Sequence, residues 1–152
     1  MKKVLLFLLL GIFCFSDNTL LNGIDWGNSK EDIISKHGKP NKIDKKKGDI
    51  KYYNLKLENI NLDEVTFQFE ENELVTWYAL TKIERKESED FISILKENSA
   101  LKFSKKTFAG EEYKGTTEER TVILAVVDQA FWKKFLLMEF HKPEWKKIFS
   151  AD

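Results

Sequence analysis

The sequence predicts an α+β fold: an antiparallel sheet of about five to six strands, two main helices packed on it, and a short C-terminal helix. Three observations carry this expectation. Strand-like runs follow one another across short links, which favours antiparallel pairing. Two segments of helical period stand apart from those runs instead of alternating with each strand, which argues against a doubly wound sheet. Aromatic residues make up 13% of the chain, a share suited to strands and to a core built on large rings.

The opening sixteen residues are set apart from that domain. Lys2 and Lys3 precede an apolar run from Val4 to Phe15, and polarity returns at Ser16, Asp17 and Asn18. This is the layout of a secretory signal peptide, with Cys14 and Ser16 small enough to flank a cut before Asp17. A membrane-spanning helix needs about 20 apolar residues, and this run is shorter. The expected organisation is a signal peptide over 1–16 and a single domain over 17–152, in a secreted or periplasmic protein. Lipidation of Cys14, the sole cysteine, is the alternative and would tether the chain to a membrane, although the bulky Phe13 suits that modification poorly.

Charge is balanced, with 25 basic and 25 acidic residues, and removal of Lys2 and Lys3 leaves a slight acidic excess. Binding to a phosphate backbone needs a clear positive excess on one face, so no nucleic-acid partner is expected. Removing the leader also removes Cys14, so no disulfide is available and the core alone must stabilise the fold.

Within the domain, the first element is a helix over 30–37. Ser29 can cap it, with Asp32 completing a capping box. Ile33, Ile34 and His37 follow at one-turn spacing, with His37 suited to the negative end of the helix dipole. Gly38 and Pro40 end the helix. Residues 41–49 read as a solvated, lysine-rich loop around Lys45, Lys46 and Lys47. A strand is expected over 50–57 with Tyr53, Leu55 and Leu57 on one face. A hairpin follows, over 62–70 and 73–83, turning at Glu71-Asn72. A two-residue turn would set Phe69 opposite Leu74, Phe67 opposite Thr76 and Val65 opposite Tyr78. A second helix covers 88–99, and a strand 101–108. Residues 109–119, with Gly110 and Gly115, read as a loop. Strands over 121–127 and 135–141 complete the sheet, and Pro143 opens a closing helix with Trp145, Ile148 and Phe149 on one stripe. The helix-plus-three-strands pattern occurs twice, but the second copy lacks the Gly-x-Ser and Gly-x-Pro marks of the first, which argues against a true repeat.

The stretch around the first helix carries the one motif. Trp26 and Gly27 lead into Ser29, Asp32 and Ile33, and Gly38-x-Pro40 closes it. This pattern resembles the first helix of the SmpA/OmlA (BamE-like) family of outer-membrane assembly lipoproteins, and also looks like β-lactamase-inhibitor-protein-like domains. The resemblance implies a small α+β module that works by binding other proteins, and it gives these residues structural roles: Trp26 packs, Ser29 caps, Ile33 enters the core, Gly38 and Pro40 terminate.

Chemistry-bearing residues are sparse. Two histidines, His37 and His141, without a cysteine in the mature chain, make a poor zinc set. No phosphate loop or nucleophile elbow occurs. The carboxylate pairs Glu111-Glu112 and Glu118-Glu119 would point to opposite faces of a strand. Neither catalytic residues, metal ligands nor cofactors are expected. Phe131-Trp132, in a connection between strands, is the candidate partner contact, because Trp is enriched at binding hot spots. The function expected is a non-enzymatic protein-interaction module of the bacterial cell envelope, its partner another envelope or extracellular protein, with membrane contact only through a lipidated Cys14. A binder of lipid or another small apolar ligand and a secreted hydrolase are the alternatives.

Overall fold

A computed structural model describes residues 19–21, 23–99, 101–107, 110–117 and 120–141. The signal-peptide region with Cys14, and the closing helix expected from Pro143, lie outside the described residues.

The chain runs α1 (Lys30–His37), β1 (Lys42–Ile43), β2 (Ile50–Leu57), β3 (Ile60–Glu70), β4 (Glu73–Glu84), a 3-10 turn (Arg85–Glu87), α2 (Ser88–Ser99), β5 (Lys102–Thr107), β6 (Gly110–Thr116), β7 (Arg120–Asp128) and β8 (Trp132–His141). All eight strands form one sheet in the order β1-β2-β3-β4-β8-β7-β6-β5, and every pairing is antiparallel. This corrects the expected fold class. The protein is mostly β, with two short helices on an eight-stranded sheet, not an α+β domain with two main helices on five or six strands.

Two strands were hidden by their residues. Lys42–Ile43 lies in the lysine-rich stretch and pairs through backbone groups with Lys51 and Ile50, while both its side chains face solvent. Gly110–Thr116 reads as a loop because of its glycines, yet Gly110 is a packing requirement. A Cβ there would sit 1.8 Å from the carbonyl oxygen of Val126 on the neighbouring strand, so glycine is what lets β6 approach β7.

Register also departs from the simple hairpin. Phe69 does face Leu74, but a bulge between Gln68 and Phe69 then sets Phe67 opposite Trp77 and Val65 opposite Ala79. This puts Phe67, Trp77, Val65 and Ala79 together on one face. In β2, Asn54 has φ +59°, and the buried phase changes there. Ile50 and Tyr52 are buried before it and Leu57 after it, while Tyr53 faces solvent.

The two faces of the sheet differ. One is covered by α1 through Ile33, by Leu20, Leu21, Ile24 and Trp26, and by α2 through Phe91, Ile92 and Leu95. Beneath them lie Trp77, Leu124, Phe135 and Leu137. Phe91 meets Phe135 edge to face at 4.9 Å, a favourable aromatic geometry. The opposite face has no described element packed on it.

Candidate functional site

α1 places the motif residues as a structural unit. Ser29 Oγ accepts from the Asp32 backbone N–H at 3.1 Å, and the Ser29 N–H donates to Asp32 Oδ2 at 2.9 Å, so both halves of the capping box are made. The Ser29 hydroxyl also donates to Asp32 Oδ2 at 2.8 Å, and this bond, with the one from the Ser29 N–H, holds the Asp32 carboxyl below its usual range. Gly38, at φ +77°, donates its N–H to the Ile34 carbonyl and ends the helix. Pro40 is buried behind it. Gly27 donates to the Leu74 carbonyl at 3.4 Å, tying the helix entry to β4. Trp26 is buried, and its ring stacks on His141 at 5.3 Å. Burial lowers the pKa of His37 and so disfavours its charged form at the helix end; among the described residues its buried Nε2 has no partner, and its ring lies against Tyr52.

The candidate contact pair is split. Phe131 stands at the tip of the β7–β8 turn, 85% exposed. Trp132 begins β8 and has the Lys82 ammonium 4.8 Å above its ring, a cation–π contact on the sheet surface. Lys45, Lys46 and Lys47 form an exposed turn closed by Asp44, whose carboxylate accepts from the Lys46 and Lys47 N–H groups.

The strongest electrostatic feature carries no motif. Glu139 is 0% exposed, on the covered face beside Phe135 and Leu137. Its Oε2 accepts from Trp77 Nε1 at 2.5 Å and from the Leu20 N–H at 2.9 Å, and its Oε1 accepts from Arg120 Nη1 at 3.1 Å. Burial pushes its pKa up to about 7, against the pull of these donors and of the Arg120 charge. The carboxylate joins three strands and fastens the chain entering the domain at Leu20. The signal was present in the sequence as a carboxylate in phase with Phe135 and Leu137, on the inward side of a strand.

On the open face, register lines up rows across the sheet. One row runs Lys51, Thr66, Tyr78, Met138, Ile123 and Lys114. The next runs Tyr53, Glu64, Leu80, Leu136, Ala125 and Glu112. The three central strands β4, β8 and β7 thus present Tyr78, Leu80, Leu136, Met138, Ile123 and Ala125, all partly exposed, between charged flanks. Three strands about 4.8 Å apart and two rows about 7 Å apart make a patch on the order of 200 Å².

Two clefts are charged. One, about 550 Å³, lies at the sheet end beside α2, with Asp63, Glu84, Glu87 and Asp90 around Ile60 and Phe91. The other, about 300 Å³, lies by β1 with Asp44, Asp49, Lys51 and Tyr78. Among the described residues no three His, Cys, Asp or Glu side chains gather as a metal site, and no helix is long and apolar enough to cross a membrane. Comparison with family models, with curated proteins and with solved structures found no match.

Proposed function

We propose that this chain is an extracytoplasmic, non-catalytic protein-interaction module of the bacterial cell envelope, and that a partner protein docks on the open face of its sheet. The observation that carries the reading is the apolar centre formed by Tyr78, Leu80, Leu136, Met138, Ile123 and Ala125, flanked by Lys51, Glu64, Lys114 and Glu112. An apolar centre with a charged rim is the anatomy of a protein interface, and none of the described helices packs on this face of the sheet. The leader supports an export route, and the resemblance of the Gly27–Pro40 motif to envelope binding modules points the same way. The occupant is a folded partner with an uncharged apolar patch and mixed charges around it.

The test compares wild type with Met138→Lys and Ile123→Lys, each checked for an unchanged circular dichroism spectrum and melting temperature. Crosslinked envelope extract is passed over each, with Phe131→Ser as a surface control. A partner retained by wild type and Phe131→Ser but lost from both lysine variants is the expected result. Equal recovery by all four, or recovery of nothing by wild type, would refute the reading. Mass spectrometry of the native N-terminus is expected to find Asp17 first, and a chain beginning at Met1 in the cytoplasmic fraction would overturn export.

A further inference from the structure

The cleft of about 300 Å³ beside β1 holds a polar group that the fold leaves unused. Lys51, Thr66 and Tyr78 stand side by side across β2, β3 and β4, and the β1 end of the cleft supplies Ile43, Asp44 and Asp49. Thr66 is the buried member, 4% exposed. Its Oγ1 is shut off from solvent and has no hydrogen-bond partner among the described residues. A hydroxyl held dry and unpartnered is costly, and folds keep few of them. The polar groups around it are half used. Asp49 Oδ2 accepts from the Gln68 amide at 3.1 Å, and Asp44 Oδ1 accepts from two backbone N–H groups, which leaves one oxygen of each carboxylate without a described donor. Lys51 gives one N–H to Glu64 at 2.5 Å and has others to give.

We propose that this cleft binds a neutral saccharide, whose hydroxyls take Thr66, Asp49 and Lys51 as hydrogen-bond partners. Charge argues for a neutral ligand. Two lysines, Lys42 and Lys51, and two aspartates line the cleft, and Lys51, Asp44 and Asp49 already have partners of their own. What stays unmet is a donor at Lys51, an acceptor on each carboxylate, and a hydroxyl that does either. Neighbouring sugar hydroxyls, each both donor and acceptor, match that set, whereas an ion of either sign meets a like charge. Ile43, 53% exposed, and the partly exposed Tyr78 add the apolar surface that the C–H side of a sugar ring covers. A volume of about 300 Å³ is at the small end for ligand sites and suits a single ring. The ligand reaches Thr66 by displacing the flexible stem of Lys51, its neighbour in the row. Met138 and Ile123 do not line the cleft, so failure of either this site or the partner reading leaves the other standing.

The test is two-dimensional amide NMR of the full chain, titrated in turn with glucose, galactose, mannose and N-acetylglucosamine. Saturable shifts at Lys51, Thr66 and Tyr78 with at least one sugar are expected, with an affinity that is the same at low and high salt because no net charge is exchanged. Thr66→Val removes the hydroxyl and keeps the volume, and it is expected to weaken that sugar severalfold. Asp49→Ala is expected to weaken it as well, and it decides the matter if Thr66→Val loses the fold. No shift with any of the four sugars, shifts confined to other residues, or an undiminished affinity in a folded Thr66→Val overturns the inference. Glycylglycine and acetate serve as charged probes at the same concentrations. Larger shifts in the cleft with either of them than with every sugar would assign it to an ionic ligand and overturn the inference too.

Discussion

Glu139 makes the stability of this protein depend on pH in an unusual direction. Most carboxylates that hold partners in a fold have depressed pKa values and stabilise it as pH rises above 4. Glu139 is the reverse case, because burial raises its pKa from 4.5 to about 7. The folded chain binds this proton more tightly than the unfolded chain does. Its contribution is therefore complete below pH 4.5, is lost as pH rises to 7, and is constant above that. At about 1.4 kcal/mol per pH unit, the gap corresponds to roughly 3 kcal/mol. With an m-value of about 2 kcal/mol/M, that moves a urea midpoint by roughly 1.5 M.

The assay is urea unfolding at pH 5 and pH 8 for wild type and Glu139→Gln. The amide keeps an oxygen for the Trp77 and Leu20 donors but does not titrate. His37 gives an opposite slope, because its lowered pKa lets the unfolded chain bind the extra proton, so stability from it grows as pH rises through 6.5. Both proteins contain His37, so its effect cancels in their difference. The advantage of wild type over Glu139→Gln is expected to shrink by roughly 2.5 kcal/mol from pH 5 to pH 8, a little less than the full gap because pH 5 already lies above the unfolded value. A difference that stays level or grows would refute the reasoning. It would mean that Arg120, Trp77 and the Leu20 N–H together outweigh the cost of burying the charge.

Two further substitutions test the local arguments. Ser29→Ala removes both bonds that its hydroxyl makes in the capping box and is expected to cost about 1 kcal/mol in urea unfolding; no loss would mean that α1 is held by Ile33 alone. Gly110→Ala drives a Cβ into the Val126 carbonyl and is expected to cost more than about 2 kcal/mol. Gly27→Ala, at φ +78° with open space around it, is expected to cost about 1 kcal/mol through backbone strain alone, and equal losses at the two sites would remove the packing argument for Gly110.

The sequence was most readable where local signals decide the structure. Ser29, Asp32, Gly38 and Pro40 bound α1 by chemistry contained within a dozen residues, and the Val65–Phe69 alternation marks a strand without help from elsewhere. It was least readable where a distant strand decides. Gly110 and Gly115 have the composition of a loop, and only the approach of β7 makes them strand. Lys42–Ile43 is a strand because Lys51 and Ile50 offer backbone partners, not because of its own side chains. The bulge after Gln68 moves the register by one position, and the turn residues alone do not encode it. Phe131-Trp132 reads as an apolar pair in a connection, yet one residue ends the turn and the other begins a strand. Glu139 belongs to no motif, because a single carboxylate has no local pattern; its meaning comes from Trp77, Arg120 and Leu20, which are far from it in sequence.

The order of the sheet explains why the buried carboxylate and the open patch occur together. Each half of the chain contributes one helix followed by four strands, and the halves meet where β4 pairs with β8 along nine positions from Thr76–Phe140 to Glu84–Trp132. Alone, either half would end in a long edge strand with its backbone groups unpaired, a liability for association. Joined, they set Trp77 of the first half opposite Glu139 of the second on the covered face, and Tyr78 and Leu80 opposite Met138 and Leu136 on the open face. A change that separates the halves must therefore uncover Glu139 and dismantle the patch at once. The rise in Glu139's pKa and the open apolar patch are two consequences of one seam, which is why the lysine substitutions on the open face, at Met138 next to the buried carboxylate and at Ile123 opposite Met138 but on the other side of the sheet, are the informative test of the proposed docking.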